Sequence, residues 1–359
     1  MFFRRIRVLF FGIKRYSGSP ESICRQIIES CYDHEKRYFR VSAGHFCEFY
    51  CRDFGWCAES LVKLGYKKQV ISTLAYALSI FEKHGRIEQI ISPGGKAFTF
   101  PQVYSPDALA FIVRSLKVAG DKSLVERYRF FLEKESLRYF DAVIDKNTGL
   151  VRKDCHFSSM KDYSVRSSSC YDNVMTAMLR EDLAFLGLAN PFKKYDYASL
   201  LKKHFWTGSY FLDDLSGGKD VCGGANTLPF WSGIIHDPVM RKSALASVMK
   251  EDLNKPFPLK YASSREKAHK MIRLEVFAGD YERDAVWAHI GMMFIAVAAK
   301  TDKKIAVGYL NAYRKLVLEH KNFLEVFDRR GKPFKTALYY SDESMLWAAN
   351  YLLLEKELA

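Results

Sequence analysis

Two carboxylates stand where acid–base chemistry would be at home. Glu325 lies in Asn322-Phe323-Leu324-Glu325-Val326-Phe327-Asp328. Apolar neighbours raise a carboxylate pKa, a common property of general acids and bases. A surface Glu on a short strand would show the same residues. Asp162 lies in Met160-Lys161-Asp162-Tyr163-Ser164-Val165-Arg166, inside a connection opened by Asp145 to Leu150 and closed by Tyr171-Asp172-Asn173. Connections this long within a domain are usually functional or disordered, and the Tyr and Phe content here speaks against disorder. Two further clusters suit polar recognition. Tyr50-Cys51-Arg52-Asp53-Phe54-Gly55-Trp56 sets a guanidinium beside a carboxylate among aromatics, a pairing fit for vicinal hydroxyls. A local salt bridge, with Asp53 favoured by a helix N-terminus, fits equally well. In Pro101 to Ala108, Asp107 stands near a helix start, where a carboxylate commonly caps.

The elements that must position these groups are helices. Apolar periodicity predicts them over 21–36, 47–64, 67–84, 106–119, 122–140, 171–188, 192–205, 227–235, 238–251, 282–300, 303–319 and 340–356. In 67–84, Val70, Leu74, Ala77, Leu78 and Phe81 share one face. Gly65, Gly85, Gly120 and Gly187 mark helix ends, and Ser105-Pro106 marks a start with Ser105 as N-cap. Short turns alternate with the long polar connections 86–105, 141–170, 206–226 and 252–281. Such alternation suits an all-α, (α/α)6 toroid of about twelve paired helices, with the long connections building a site on one rim. An α-solenoid would show a fixed repeat, and none is found. Residues 1–20 read as a basic N-terminal arm, packed on the body rather than lying at a membrane. Residues 21–359 read as one domain.

The order of the motifs resembles the six-hairpin glycosidases: glucoamylases, trehalases and the glucosidase domain of glycogen debranching enzyme. Tyr50 to Asp53 is similar to their Trp/Tyr-x-Arg-Asp motif, and Ser105 to Ile112 to their Ser-x-Asp-Ala helix start. Asp145 to Leu150 resembles the Asp-x-x-Gly-Leu strand, and Met160-Lys161-Asp162 the step bearing the general acid. Arg166 and Tyr171-Asp172-Asn173 match the Arg and Glu-x-Asn positions that follow. Tyr281 to Trp287 resembles another helix start, and Phe323 to Asp328 the segment bearing the general base. The resemblance covers roughly residues 45–355. Met160 replaces a Trp, Asp172 a Glu, Asp284 a Gly and His289 a Pro. The resemblance implies an inverting hydrolase acting on an α-linked glucoside or related oligosaccharide. Asp162 would be the acid and Glu325 the base. Arg52, Asp53, Asp107, Arg166 and Asp172 would bind sugar, and Trp56, Tyr163 and Trp287 would stack on it. Asp213, Asp214 and Asn226 would line the far side, a turn or cap role being open for Asn226. This chemistry needs no metal or organic cofactor.

Composition bounds the rest. The chain has 359 residues, 48% hydrophobic and 27% charged, as in a folded globular protein. Its net charge is +14. The basic residues are scattered and mixed with acids, so nucleic acid is not expected as a partner. Eight Cys form no CxxC pair and no zinc-type cluster, which suits reduced thiols and a cytoplasmic location. No stretch approaches the roughly 18 apolar residues of a membrane span. Two other functions remain open. A sugar epimerase or isomerase would need paired His in the cavity, from His45, His156 and His289. A non-catalytic carbohydrate- or polyanion-binding protein would account for the charge and the motif departures.

Overall fold

The apolar periodicity becomes fourteen helices among the described residues: α1 Phe2–Phe11, α2 Pro20–Cys31, α3 Cys51–Lys63, α4 Lys67–His84, α5 Pro106–Ala119, α6 Lys122–Arg127, α7 Arg129–Val143, α8 Cys170–Phe185, α9 Tyr197–Phe205, α10 Leu228–Trp231, α11 Pro238–Lys250, α12 Ala288–Ala299, α13 Lys303–His320 and α14 Ala348–Leu358. The computed structural model describes residues 2–101, 103–157, 160–263, 270–271 and 279–359. Gln102 and parts of the expected connections 141–170 and 252–281 lie outside them.

Six helices close a ring. α3 packs on α5, α5 on α8, α8 on α10, α10 on α12, α12 on α14, and α14 returns to α3. Other helices lie against this ring: α4 on α3 and α5, α7 on α5, α9 on α8, α13 on α12 and α14, and α2 on α13 and α14. In chain order the pairs are α2–α3, α4–α5, α7–α8, α9–α10, α11–α12 and α13–α14, the expected (α/α)6 toroid. Burial follows the two layers. Inner α5 is covered nearly all round, from Pro106 to Val113 and again at Ser115, Leu116 and Ala119. Outer α4 buries the single stripe Val70, Thr73, Leu74, Ala77, Leu78 and Phe81. Ser60 donates to Asn350 at 2.6 Å across the α14–α3 seam, satisfying two polar groups where the ring closes.

The two rims differ. The connections leaving inner helices are mostly short, such as 64–66, 120–121 and 300–302. Those entering them are long: 32–50, 85–105, 144–169, 206–227, 251–287 and 321–347. The N-termini of the inner helices therefore all open onto the long-loop rim. Gly85 and Gly120 close α4 and α5 with φ of 87° and 64°, a left-handed turn that glycine adopts without strain.

Several expected starts were too early, and they cluster on that rim. The helix expected at 282 begins at Ala288, because Val286–Trp287 first pairs as a short strand with Val326–Phe327. The one expected at 340 begins at Ala348, and the one at 47 begins at Cys51 after Phe49–Tyr50 pairs with Ile90–Ile91. The expected helix 122–140 breaks at Tyr128, whose φ and ψ are −105° and 11°. Ser105 makes no N-cap bond; its hydroxyl turns instead to Asp107 at 2.7 Å. Within the basic arm residues 2–11 form a helix, and among its side chains from Ile6 on only Val8 is buried.

Gly55 lets α3 approach α5: a Cβ there would meet the Phe111 Cβ at 2.3 Å. Gly55→Ala is expected to destabilise the fold by about 1–3 kcal/mol through overpacking, read as a lower midpoint in urea unfolding.

Candidate active site

Carboxylates are favoured at helix N-termini, and this fold points six such ends at one rim. Asp53, Asp107 and Asp172 occupy the first turns of α3, α5 and α8. A cavity of about 470 Å³ opens among these ends, within the range of small-molecule sites. Arg52, Asp53, Asp162, Glu282 and Glu325 all line it. So do the aromatic residues Tyr50, Trp56, Tyr163, Tyr261, Tyr281, Trp287, Tyr339 and Trp347. One wall is thus acidic with a single guanidinium, and the rest offers flat apolar faces with polar edges.

Arg52 is the hub of the charged wall. Its Nε donates to Asp107 Oδ2 at 2.5 Å, and its Nη1 lies 3.7 Å from Asp162 Oδ1. With the Gln89 amide oriented to satisfy both its ends, Gln89 accepts from Arg52 Nη2 at 3.1 Å and donates to the Phe100 carbonyl at 2.8 Å. Asp107 also accepts from Ser105 Oγ and Tyr171 Oη, each at 2.7 Å. Asp53 accepts from Trp347 Nε1 at 3.1 Å, and burial pushes its pKa up to about 7.

Glu282 shapes the turn carrying Asp162. Its carboxylate accepts from the backbone N–H of Asp162 at 2.6 Å, of Tyr163 at 2.9 Å and of Ser164 at 3.1 Å. The same loop is pinned where Ser164–Val165 pairs with Lys270–Met271. Burial, then the charge of Asp162, hold the Glu282 pKa above the usual carboxylate range. Behind the turn, Lys161 donates to Asp213 at 2.6 Å in a buried pair. Asp162 itself keeps a third of its side chain exposed, at 34%, toward the cavity it lines.

Glu325 is held from the opposite connection. It accepts from Tyr281 Oη at 2.8 Å, from the Asp342 N–H at 2.9 Å and from the Tyr339 hydroxyl. Burial raises its pKa above the ordinary value, against the opposing pull of these donors and of His45. On the cavity floor His289 stacks on Trp56, with ring centroids 4.2 Å apart and planes at 6°. Tyr261 meets the His289 Nε2 at 3.0 Å, and burial keeps the imidazole pKa well below its usual value.

The structure brings Arg52, Asp53, Trp56, Asp162, Tyr163, Trp287 and Glu325 to one cavity. Asp107, Arg166 and Asp172 lie behind the lining. Asp107 braces Arg52, Arg166 stands 3.7 Å from Asp213, and Asp172 exchanges hydrogen bonds with Ser169 at the start of α8. Asp213, Asp214 and Asn226 are also behind it. Asp214 accepts from the Ser167 N–H, and Asn226 bonds both backbone groups of Phe211. Sequence reasoning missed Glu282, Tyr339 and Trp347. Glu282 sits in the mixed-charge run Glu282-Arg283-Asp284, which reads as solvated surface; the Tyr281 to Trp287 motif marked the segment but not this residue.

The fold is shared with solved glycosidase structures, which have a similar (α/α)6 toroid. No protein family is matched by the sequence, and no curated protein matches it. Among solved structures, the rhamnosidase from Klebsiella oxytoca with rhamnose bound superposes with a TM-score of 0.66 at 11% identity, over 94% of this chain and 63% of that one. The GH63 mannosylglycerate hydrolase from Thermus thermophilus in complex with glucose gives 0.62 at 12% identity, over 94% and 100% of the two chains. A glycosidase variant in complex with glucose gives 0.64 at 13%, over 94% and 96%. The chain thus spans less than two thirds of the rhamnosidase and the whole of the Thermus hydrolase.

The raised Asp53 has a consequence for stability. Its pKa is about 7 in the fold and about 3.9 unfolded, so folding takes up a proton between those values. Its contribution is present below the unfolded pKa and is lost as pH rises toward 7. Asp53→Asn keeps an acceptor for Trp347, and should flatten the fall in unfolding free energy by up to about 1.4 kcal/mol per pH unit across that window, measured by urea denaturation at several pH values.

Proposed function

We propose that this chain is a glycoside hydrolase acting with inversion on an α-linked glucoside or related oligosaccharide. The observation that carries the reading is that Asp162 and Glu325, far apart in sequence, line one cavity at the mouth of a closed helical ring. Asp162 would protonate the glycosidic oxygen. Glu325 would take a proton from the water that attacks the anomeric carbon from the opposite face. Arg52 and Asp53 would hold sugar hydroxyls, and Tyr163 and Trp287 would cover the apolar ring faces, with the buried Trp56 stacked on His289 in the cavity floor. Asp107 supports Arg52 from behind, and Glu282 sets the backbone of the acid turn. The glucose and rhamnose bound to the structural neighbours support a sugar as ligand.

The isomerase reading is not favoured by the geometry. An isomerase of this kind needs two His in the cavity, and among the described lining residues only His289 is a histidine. Eight free cysteines suit a reducing compartment, so we place the protein in the cytoplasm. Among the described residues no helix is long and apolar enough to cross a membrane.

Asp162→Asn and Glu325→Gln are each expected to lower kcat by about 10²–10⁴-fold on a panel of α-linked glucosides. Activity surviving both substitutions would sink the assignment. The base must be ionised, and burial raises its pKa, so kcat/KM should fall on the acid side at a pH above the ordinary carboxylate range. Tyr339→Phe removes a hydrogen bond that favours the charged Glu325. The acid limb should then move to higher pH and kcat/KM drop about tenfold, as a pH–rate profile would report.

A further inference from the structure

Helix α1 turns its apolar side away from the protein. At about 100° per residue, Ile6, Leu9 and Phe10 fall within one arc of about 100°, and Val8 falls on the far side. Val8 is buried, whereas Leu9, Phe10 and Phe11 are 64%, 76% and 82% exposed. A core-facing helix would show the reverse. Residues 1–20 also carry Arg4, Arg5, Arg7, Lys14 and Arg15 and no acidic residue.

We infer that α1 is an in-plane anchor for an anionic lipid surface. Large apolar side chains flanked by arginines match the boundary between acyl chains and charged headgroups, where the apolar side enters and the guanidinium groups stay with the phosphates. Its ten residues are too few to span a bilayer. A second copy of the chain is the poorer occupant, since two arms with the same positive charge repel. The anchor is fastened at its root. The Lys14 N–H donates to Glu343 at 2.8 Å, Asn322 donates to the Lys14 carbonyl at 2.7 Å, and the Tyr16 N–H donates to the Lys321 carbonyl at 2.8 Å. These partners belong to the connection 321–347, which also carries Glu325. The anchor would therefore hold the long-loop rim beside the bilayer. This inference does not depend on the hydrolase reading.

The test is co-sedimentation of the full chain with vesicles of equimolar phosphatidylglycerol and phosphatidylcholine, with phosphatidylcholine alone as control. Binding to the anionic vesicles is expected, weakening as salt rises. The pair Leu9→Glu and Phe10→Glu should weaken it about tenfold without moving the thermal midpoint, since both side chains are exposed. Arg4→Gln, Arg5→Gln and Arg7→Gln together should flatten the salt dependence. No binding to anionic vesicles overturns the inference. So does binding that the Leu9/Phe10 variant leaves unchanged, which would trace to the general surface charge. A concentration-dependent dimer that this variant dissolves, with no vesicle binding, would assign the apolar face to a second copy.

Discussion

Six amphipathic hairpins can bury their apolar sides in one core only if the last meets the first. Everything at the rim depends on that closure. α14 lies along α3, where Asn350 accepts from Ser60 and Trp347 reaches Asp53. Each is an interaction between residues at opposite ends of the domain. The entropic cost of bringing such distant segments together is offset by a large, contiguous core in which inner helices such as α5 leave little surface to solvent. An open arc of the same helices would leave Asp162 and Glu325 with no common cavity.

Closure also sets the electrostatics. It brings Arg52, Asp53 and the carboxylates of three long connections, Asp162, Glu282 and Glu325, to one cavity, with Asp107 braced behind Arg52. Buried ions are tolerated only when paired and hydrogen-bonded. The site meets that demand unevenly. Arg52 and Asp107 neutralise each other, with Ser105 and Tyr171 completing the aspartate's shell. Asp53, Glu282 and Glu325 receive neutral donors instead, and burial outweighs these, so all three hold protons more tightly than free carboxylates.

Much of this architecture was legible in the residues. The stripe of α4 and the glycines closing α4 and α5 are local signals, and they mark elements correctly. The alternation of short and long connections, with the order of the motifs, pointed to a ring with its long connections on one rim. The misread starts, at 282 and 340, share one cause. In each stretch tertiary contacts override the helical pattern: Val286–Trp287 is held extended against Val326–Phe327, and 340–347 runs through turns and the Met345–Ser42 bridge, so that Trp287 and Trp347 line the cavity just before their helices begin. The same limit hid Glu282. Its partners are backbone N–H groups of a loop far away in sequence, and no spacing rule relates the two. Asp107 shows the converse: its residue type and position were visible, but whether it faces ligand or braces Arg52 depends on packing that only the folded chain defines.

The cysteines carry one more implication. Six of the eight, Cys24, Cys31, Cys51, Cys57, Cys170 and Cys222, are buried, and burial raises their thiol pKa values, which suppresses the reactive thiolate. Cys47 and Cys155 are partly open, although burial raises the Cys47 thiol too, and they sit on the two rim connections 32–50 and 144–169. The unmodified chain therefore comes with its own pair of attachment points for spectroscopic labels, one on each of two loops that frame the cavity mouth.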